Sequence, residues 1–483
     1  MEIQGFEQFQ LQPELWKALS FLEYNQPTKI QQLVIPQALN GKDLWVRSQT
    51  GSGKTAAYGI PICEQIEWLP NHPQALILVP TRELALQVAE EIGNIGRLKR
   101  LKALPIFGKV SIERQELELK QKTHIIVGTP GRVRDLIQKG TLPVDMISHL
   151  VIDEADEMFH IGLQEQVEDI IRLLPTNRST MLFSATLQKE LQTLTQVHMR
   201  DPEVIQLEEE AIPVENIEQL SYQVEEPNKP ELLCKVTAKY RPESCIIFAN
   251  TQDKVATIAK YLILHHYPCY CLHGAMRQKD RIQVMNGFKE GAFRYLIATD
   301  VAARGIDISN VSMVINYDIS RGNENYVHRI GRCGRLGSTG IAVTFYTGRE
   351  QSSMQAIMRY TGIDIPSNDS ATLQITPSDM EEFEQQIRKT PILKEKKGKT
   401  LNQSITKLHI YAGKKDKIRT SEIVATICGI EGVTAEDIGI IQILPTATQV
   451  EILNQKGNLV CQQLKEKTIK GKTRKLRIIN TSK

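Results

Sequence analysis

The segment SQTGSGKT (48–55) combines glycines with a lysine and hydroxyl groups, which suits it to hold phosphate. Gly51 and Gly53 let the backbone turn so that its N–H groups point towards phosphate oxygens. Lys54 can reach the terminal phosphates, and the Thr55 hydroxyl can coordinate magnesium. A glycine-rich turn without a ligand is the alternative. The GKT sequence between an apolar strand and a helical run favours the phosphate site.

The apolar segment VIDEAD (151–156) ends in carboxylates. Ligands of open parallel sheets bind at the carboxyl ends of strands, where Asp153 and Glu154 would lie. One carboxylate can hold magnesium, and the other can orient or deprotonate an attacking water molecule. Two acids at a strand end can also be plain surface charge, but a phosphate-binding segment in the same chain favours chemistry. Together the two segments indicate a nucleoside-triphosphate hydrolase.

Strand-length apolar runs alternate with helical stretches through most of the chain. The runs lie at 75–79, 124–128, 149–153 and 180–186, and then at 245–250, 295–300, 312–318 and 341–346. Continuous Ile, Val and Leu without polar alternation is typical of strands covered on both faces. Strands that alternate with helices indicate parallel sheets built from right-handed βαβ units. We therefore predict an α/β fold with two tandem parallel-sheet domains, followed by a small α+β domain.

Changes in composition place the domain boundaries. An acidic stretch with prolines separates the two sets of strands, and lysines cluster before the last sixth of the chain. We predict domains over 1–205 and 219–375, an interdomain linker over 206–218, a flexible basic linker over 376–404 and the small domain over 405–483.

Composition excludes several classes of protein. The 483 residues are 41% apolar and 24% charged, which is typical of globular proteins and not of disordered or collagen-like chains. No apolar run reaches the roughly 18 residues that a membrane span needs, and the first residues do not resemble a signal peptide. The eight cysteines are scattered without a CxxC pair, as expected of reduced thiols. We expect a cytoplasmic protein.

Charge is distributed unevenly along the chain. Residues 405–483 hold 14 Lys and Arg against 7 Asp and Glu, or +7, whereas the whole chain is +3. A basic module on a slightly acidic body suggests a polyanion partner. A solvated lysine-rich tail explains the same charge, and charge alone does not decide between them.

The tetrad at 153–156 resembles the box that names the DEAD-box RNA helicases. Similar motifs of that family follow one another over about 330 residues, namely PTKIQ (27–31), PTREL (80–84), TPGR (129–132), SAT (184–186), LHG (272–274) with Gln278 and Arg281, ATDVAARGID (298–307) and HRIGRCGR (328–335). The resemblance implies RecA-like parallel-sheet domains, RNA as partner, and ATP and Mg²⁺ as cofactors. It also implies that Gln31 reads adenine and that Phe6 stacks on it.

The resemblance assigns residues to three sites. The nucleotide site would consist of Phe6, Thr28, Gln31, Ser48, Gln49, Thr50, Gly51, Ser52, Gly53, Lys54, Thr55, Gly305 and Asp307. The metal would be held by Thr55 and Asp153. RNA would be contacted in the body of the chain by Pro80, Thr81, Arg82, Gly108, Thr129, Pro130, Gly131, Arg132, His273, Gly274 and Thr299.

Two arginines complete the catalytic set of Lys54, Asp153 and Glu154. Phosphoryl transfer spreads negative charge over three oxygens, and an arginine placed there is worth roughly 10³–10⁵ in rate. Arg332 and Arg335 belong to the second set of strands, so that hydrolysis would depend on domain closure. A surface cluster at a helix start is the alternative for these arginines.

Four positions depart from the DEAD-box pattern. Glu23 stands where that pattern has Gly, Ser48 where it has Ala, Lys109 after Gly108 where it has a second Gly, and Cys333 where it has Thr. None of these changes removes a charged catalytic group. The second glycine normally lets RNA phosphate approach the backbone closely.

The segment 405–480 resembles the RRM-like domain of the DbpA group of bacterial DEAD-box helicases, which target a hairpin of large-subunit ribosomal RNA. Its loop GKKDKIR (413–419) suits contacts to a structured RNA, and the contacts would be made by Lys414, Lys415, Lys417 and Arg419. The sheet strands offer few aromatics for base stacking, so we expect recognition through the lysine loops. A protein-docking domain is the alternative.

The resemblance implies a monomeric, RNA-stimulated ATPase that unwinds short RNA duplexes and is targeted to 23S ribosomal RNA during 50S subunit assembly. A general RNA helicase, or an ATP-driven RNA clamp without ribosomal specificity, is the alternative. A DNA helicase with the same core is disfavoured by the motif set and the RRM-like tail. A binding protein with an inactive core is disfavoured because Lys54, Glu154, Arg332 and Arg335 are all present.

Overall fold

A computed structural model describes most of the chain. The described residues are 5–48, 52–186, 189–206, 217–303, 311–333, 340–370, 373–389 and 399–479. Their contacts divide them into two compact units, 5–206 with 399–479, and 217–389. The first unit contains the first domain (5–206) and the C-terminal domain (399–479), and the second unit is the second domain.

The first domain is built on a seven-stranded parallel sheet with the order β3-β4-β2-β5-β6-β1-β7. Its strands are β1 (Leu44–Arg47), β2 (Ala75–Leu78), β3 (Ala103–Ile106), β4 (Ile125–Gly128), β5 (His149–Ile152), β6 (Ser179–Ser184) and β7 (Glu203–Gln206). Its helices are α1 (Pro13–Phe21), α2 (Lys29–Leu39), α3 (Lys54–Gln65), α4 (Arg82–Ile95), α5 (Ile112–Leu119), α6 (Pro130–Gln138), α7 (Ala155–His160), α8 (Gln164–Leu173) and α9 (Lys189–His198).

Successive residues of each strand pack into two different hydrophobic layers. Val46 and Ile77 belong to one layer, and their neighbours Trp45 and Leu76 belong to the other. Side chains alternate across a strand, so both faces of this sheet are covered by helices. The prediction of a parallel sheet buried on both faces is therefore confirmed.

The second domain repeats the architecture, with the sheet order β10-β11-β9-β12-β13-β8-β14 and parallel pairing throughout its described strands. Its strands are β8 (Ile217–Gln223), β9 (Cys245–Phe248), β10 (Cys269–Leu272), β11 (Tyr295–Ala298), β12 (Met313–Asn316), β13 (Gly340–Tyr346) and β14 (Ser367–Asp369). Its helices are α10 (Lys229–Tyr240), α11 (Gln252–Leu264), α12 (Gln278–Lys289), α13 (Asp300–Ala303), α14 (Asn323–Ile330), α15 (Gln351–Thr361) and α16 (Pro377–Arg388).

Helix α16 lies inside the stretch 376–404 for which we predicted a flexible linker. Phe383 is buried against the Tyr267 ring at a centroid distance of 5.3 Å. Asp379 accepts from Lys239 at 3.2 Å and from Arg241 at 3.0 Å. The linker prediction does not hold for residues 377–388, because buried Phe383, partly buried Ile387 and three ion pairs to Lys239 and Arg241 hold a helix that is otherwise mostly polar.

The C-terminal domain is a small α+β domain, as predicted. Its four-stranded antiparallel sheet has the order β16-β17-β15-β20, and a separate hairpin pairs β18 with β19. Its elements are α17 (Lys399–Ser404), β15 (Thr406–Ile410), α18 (Thr420–Cys428), β16 (Ile438–Ile443), β17 (Thr448–Ile452), α19 (Gly457–Glu466), β18 (Thr468–Ile469), β19 (Lys472–Thr473) and β20 (Leu476–Ile479). Leu408 and Ile410 of β15 are fully buried in the core with α18 and α19.

All eight cysteines lie in described parts of the chain, and none forms a disulfide. Burial raises the pKa of the Cys63 thiol to about 12, which keeps this thiol protonated at neutral pH. The prediction of reduced thiols agrees with this arrangement. Along the described ranges, no helix is long and apolar enough to cross a membrane.

Candidate active site

The phosphate-binding segment joins β1 to α3. Gly53 caps α3 with φ +91°, a conformation that favours glycine. A Cβ added at Gly53 would lie 2.6 Å from Nε2 of Gln31, so a larger residue would also displace the Gln31 amide. The predicted residues Gln49, Thr50 and Gly51 lie outside the described residues.

Lys54 and Asp153 come together although almost 100 residues separate them in sequence. The Lys54 Nζ lies 3.8 Å from Asp153 Oδ1 and 3.5 Å from the backbone oxygen of Ser48. Both side chains are less than a tenth exposed, so the carboxylate offsets part of the cost of burying the lysine charge. Thr55, the second predicted metal ligand, follows in the first turn of α3.

Tyr58 is a member of this site that the sequence did not reveal. Its hydroxyl donates to Asp153 Oδ2 at 2.9 Å. Burial, followed by the neighbouring Asp153 charge, holds the pKa of the Tyr58 hydroxyl well above its ordinary value. The phenol therefore stays a donor, and it fixes one oxygen of the predicted metal ligand. Tyr58 reaches Asp153 because α3 packs on the sheet face that includes Val151 of β5. No sequence motif marks this tyrosine.

The DEAD tetrad forms an abrupt strand-to-helix turn. Glu154 has φ +52° and ψ +49°, a left-handed conformation, and its backbone N–H donates to Asp153 Oδ1 at 2.9 Å. Strained backbone of this kind costs about 1–3 kcal/mol and is common at active sites. Asp153 and Glu154 thus leave the strand end with different surroundings, one buried and one partly exposed.

Asp156 connects the DEAD tetrad to the SAT motif. Its Oδ2 accepts from the backbone N–H of Ala185 at 2.9 Å, from that of Thr186 at 3.1 Å and from the Thr186 hydroxyl at 3.2 Å. One carboxylate oxygen therefore holds the loop that follows β6. A change in the loop after β5 can be transmitted directly to the SAT motif.

The PTKIQ segment contacts the phosphate-binding segment through two side chains. The Thr28 hydroxyl donates to the backbone oxygen of Ser52 at 2.9 Å, and Gln31 Nε2 donates to that of Gly53 at 3.1 Å. Gln31 also accepts from the backbone N–H of Thr28 at 2.9 Å. The predicted adenine reader is thus bonded to the loop that would hold the phosphates.

Phe6 lies in a short 3-10 helix, Phe6–Phe9, and is fully buried. Its ring makes edge contacts with Phe9 and Tyr24, at centroid distances of 5.8 and 5.9 Å. The structure therefore places this ring in the core beside the PTKIQ segment. Stacking of Phe6 on adenine stays a prediction.

The predicted RNA residues of the first domain share one half of the sheet edge. The PTREL, Gly108 and TPGR segments follow β2, β3 and β4, which are neighbours in the sheet, whereas the nucleotide segments follow β1, β5 and β6. Thr81 and Thr129 occupy the N-caps of α4 and α6. Helix N-termini with free N–H groups favour phosphate. The predicted nucleotide and RNA segments therefore lie at separate places along the same edge.

Arg132 holds the loop that contains Gly108. Its guanidinium donates to Gln115 Oε1 at 2.6 Å and to the backbone oxygen of Val110 at 3.3 Å. Lys109 has φ +60°, a left-handed conformation that glycine adopts without steric cost. The departure from the family pattern therefore keeps a glycine-like backbone and adds an exposed lysine.

In the second domain, the structure brings together two of the predicted RNA segments. His273 and Gly274 follow β10, and Thr299 follows the neighbouring strand β11. Arg332 is described and largely buried. The predicted residues Gly305, Asp307 and Arg335 lie outside the described residues.

Arg329, the first arginine of HRIGRCGR, was not assigned a role from the sequence. It is 2% exposed, and it donates to Asp300 at 2.5 and 2.7 Å. It also donates to the backbone oxygen of Asp318 at 2.7 Å and to Asn250 Oδ1 at 3.0 Å. These partners follow β11, β12 and β9, so a single guanidinium fixes three strand ends.

The four predicted basic residues of the C-terminal domain lie on one exposed loop, the lysine loop (413–419). The backbone N–H groups of Lys414 and Lys415 donate to the carbonyls of Leu444 and Pro445, each at 2.9 Å. A Cβ added at Gly413 would lie 2.2 Å from the Leu444 oxygen. Close backbone packing thus holds the loop, and the charged ends of its side chains face solvent.

The sheet face opposite the helices carries an aromatic and cationic group next to this loop. Tyr411 is 42% exposed, and its ring lies 4.7 Å from that of His409. The charged groups of Lys475 and Arg477 each lie 5.8 Å from the Tyr411 ring. The sequence argument favoured the lysine loop over this face, and the structure places both in the same domain.

Three segments of the chain match known families. Residues 28–194 match the DEAD/DEAH box helicase family, residues 228–337 the helicase conserved C-terminal domain and residues 407–478 the DbpA RNA binding domain. One match falls within each of the first, second and C-terminal domains.

Relatives and solved structures agree with these matches. The chain is 51% identical over 475 residues to the ATP-dependent RNA helicase DbpA of Bacillus subtilis (strain 168), covering 98% of this chain and 99% of the relative. It is 44% identical over 356 residues to the DEAD-box ATP-dependent RNA helicase CshA of Geobacillus kaustophilus, covering 74% and 76%. The structure of S. cerevisiae Dbp5 bound to RNA and ADP BeF3 superposes with a TM-score of 0.70 at 29% identity, covering 80% of this chain and 100% of that chain. The chain belongs to the DEAD-box ATP-dependent RNA helicases, and within them to the DbpA type with its own RNA-binding domain.

Proposed function

We propose that this ATP-dependent RNA helicase acts on 23S ribosomal RNA during 50S subunit assembly in the cytoplasm, and that the C-terminal domain selects the RNA. The observation that carries the proposal is the lysine loop, where Lys414, Lys415, Lys417 and Arg419 are exposed together. Clustered cations on a rigid loop suit a folded RNA, whose phosphates lie at fixed spacings. The match of residues 407–478 to the DbpA RNA binding domain supports the same target class.

The two helicase domains together supply the groups that hydrolysis requires. Lys54 binds the terminal phosphates, and Glu154 orients the attacking water. Arg332 and Arg335 stabilise the negative charge of the transferring phosphoryl group. Asp156 passes a change at the phosphates to the SAT motif through its bonds to Thr186.

The residues at this site fit Mg²⁺. Magnesium prefers hard oxygen ligands, and it is commonly held by one or two protein groups together with substrate phosphates. Asp153 and Thr55 are such ligands, and among the described residues no larger group of metal-binding side chains competes with them. When bound, the ion neutralises charge on the phosphate oxygens. Tyr58 orients Asp153 for that purpose through its bond to Oδ2.

RNA lies along the half of the first-domain sheet edge that follows β2, β3 and β4. The helix N-termini at Thr81 and Thr129 bind backbone phosphates there, and Arg132 keeps the Gly108 loop in place. Such contacts carry no sequence information. The C-terminal domain therefore selects the target RNA. A single chain contains every group that we assign, which is consistent with a monomeric enzyme.

ATPase activity against a panel of RNAs tests the target. We expect fragments of 23S ribosomal RNA to stimulate hydrolysis at lower concentration than unrelated RNAs of the same length. Replacing Lys414, Lys415, Lys417 and Arg419 with serine should raise the RNA concentration needed for half-maximal stimulation and leave the maximal rate unchanged.

A control variant removes the same charge elsewhere. Lys260, Arg359, Arg388 and Lys389 are exposed cations of the second domain, and their replacement with serine should preserve the preference. Equal stimulation by all RNAs would contradict ribosomal targeting and leave a general RNA helicase. Stimulation that needs RNA but yields no strand displacement would favour an ATP-driven clamp.

A further inference from the structure

The sheet of the C-terminal domain has one face without helices, which we call the helix-free face. Leu408 and Ile410 of β15 pack against α18 and α19, so Lys407 and His409 point to the other side. On β17, Glu451 pairs with Lys407 and shares this face. The helix-free face therefore carries Glu451 at one end and the His409–Tyr411 pair at the other.

Glu451 is unusual for a surface that would meet RNA. It lies in a domain of net charge +7, and its carboxylate would repel phosphate. Its side chain is only 11% exposed, and burying a carboxylate without a partner is costly. Its location therefore requires a cationic partner, and Lys407 at 3.8 Å is a distant one.

The partner is Arg97, which follows α4 of the first domain. Arg97 Nε donates to Glu451 Oε2 at 3.0 Å, and Arg97 Nη2 donates to Glu451 Oε1 at 2.8 Å. The Arg97 side chain is 13% exposed. Two parallel hydrogen bonds between a guanidinium and a carboxylate fix orientation as well as distance. Arg100 adds a third contact, because it donates to the backbone oxygen of Ala435 at 2.6 Å.

An apolar cluster surrounds the charged pair. Leu401, Ile405 and Leu453 of the C-terminal domain are buried, and they pack with three side chains of the first domain. Those three are Phe21, Leu22 and Leu98. Helix α17, which leads into the domain, thus contributes to the contact. The contact therefore buries apolar side chains of the C-terminal domain against partly buried ones of the first domain, next to the ion pair.

We propose that one end of the helix-free face is a docking surface for the first helicase domain, and that the Arg97–Glu451 pair locks it. The C-terminal domain is then a fixed part of the first domain's surface and not a freely tethered module. The opposite end of the face, with Tyr411, and the lysine loop stay open for RNA. The proposal does not depend on which RNA the domain selects.

Cross-linking of the full-length protein tests the docking. Lys17 Nζ donates to Asn454 Oδ1 across the contact at 3.3 Å, so an amine-reactive cross-linker should join Lys17 to the nearby Lys456. Arg97→Glu and Glu451→Arg should each lower the yield of this cross-link by about fivefold or more, since each leaves like charges facing one another. The double variant Arg97→Glu/Glu451→Arg should restore it.

Two controls separate docking from misfolding. The cross-link between Lys417 and Lys470 lies within the C-terminal domain, where Lys470 Nζ donates to the Lys417 carbonyl at 2.7 Å, and it should persist in every variant. Arg114→Glu changes the same charge at an exposed site that pairs within its own helix, and it should have no effect. Absence of the Lys17 cross-link in the wild type, an unchanged yield with Arg97→Glu, or failure of the double variant to restore it would overturn the proposal. No RNA is present, so these outcomes do not bear on the ribosomal target.

Discussion

The salt dependence of RNA binding gives the most direct measure of the lysine loop. Lys414, Lys415, Lys417 and Arg419 are exposed on a loop whose backbone is held by the Leu444 and Pro445 carbonyls. If each cation neutralises one phosphate, each contributes at least about 0.7 to the slope of log K against log salt, which is the single-strand value and the lower bound for a folded RNA. The loop then contributes at least about 2.8 to the slope, and a fourfold rise in salt weakens its share of binding at least about 50-fold, or about 2.3 kcal/mol.

Fluorescence anisotropy of a labelled ribosomal RNA fragment, titrated at several KCl concentrations, measures this slope. The variant with all four cations replaced by serine should bind more weakly at low salt and should show a slope shallower by at least about 2.8. The matched variant at Lys260, Arg359, Arg388 and Lys389 should keep the wild-type slope. Identical slopes for the wild type and the loop variant would refute the assignment of the loop as the phosphate contact.

Three further predictions concern the first domain. Glu154→Gln should retain ATP binding but lower turnover by about 10² or more, since it removes the group that orients water. Steady-state ATPase and nucleotide-binding assays check this, and near-normal turnover would exclude Glu154 from catalysis. Gln31→Ala should reduce the preference for ATP over GTP, and it also removes the hydrogen bond to the Gly53 carbonyl. Competition assays measure the preference, and a wild type that binds both nucleotides equally would contradict adenine reading. Burial lowers the pKa of His149 to about 4, below its ordinary value of about 6.5. The unfolded state therefore binds more protons between these values, and the stability contributed by neutral His149 is present above pH 6.5 and lost as the pH falls towards 4. Denaturant unfolding of His149→Gln should show a weaker pH dependence in that range, and an unchanged dependence would assign the effect to other groups.

The sequence predicted the chemistry of the first domain because parallel-sheet topology constrains it. Lys54 and Asp153 follow β1 and β5, and the carboxyl ends of parallel strands lie along one edge. The motif identities and the sheet rule therefore sufficed to predict that these residues meet, and they do, at 3.8 Å. Glu154 was located by the same reasoning, whereas the bonds of Asp156 to the SAT motif were not predicted.

Other features depend on packing that no local pattern records. Tyr58 reaches Asp153 only because α3 packs beside β5, and its sequence context is that of an ordinary buried helix residue. Phe6 was assigned to adenine, but a fully buried ring is consistent with a structural role as well. Helix α16 has few apolar residues, and buried Phe383 with partly buried Ile387 anchors its face in the core. In each case, contacts between residues that are distant in sequence determine where the side chain lies.

In the C-terminal domain, too, some features were predictable from the sequence and others depend on contacts between distant residues. The charge count predicted a basic module, and the resemblance to the DbpA group singled out the loop 413–419, whose four cations are exposed. The pairing of Arg97 with Glu451 spans 354 positions, and each residue by itself resembles an ordinary surface charge. Such a contact becomes visible only when both surfaces are known.

The guanidinium of Arg329 has a consequence for how the second domain can vary. Asn250, Asp300 and the Asp318 carbonyl all accept hydrogen bonds from this one cation. The loops that follow β9, β11 and β12 are therefore held in place by the same guanidinium. A loop transplanted alone from another helicase would leave a buried donor or carboxylate without its partner, at a cost of several kcal/mol. Lysine cannot substitute, because it lacks the planar fork that reaches several acceptors at once. These loops can therefore be exchanged only as a set, and laboratory chimaeras of the second domain should keep all three from one parent.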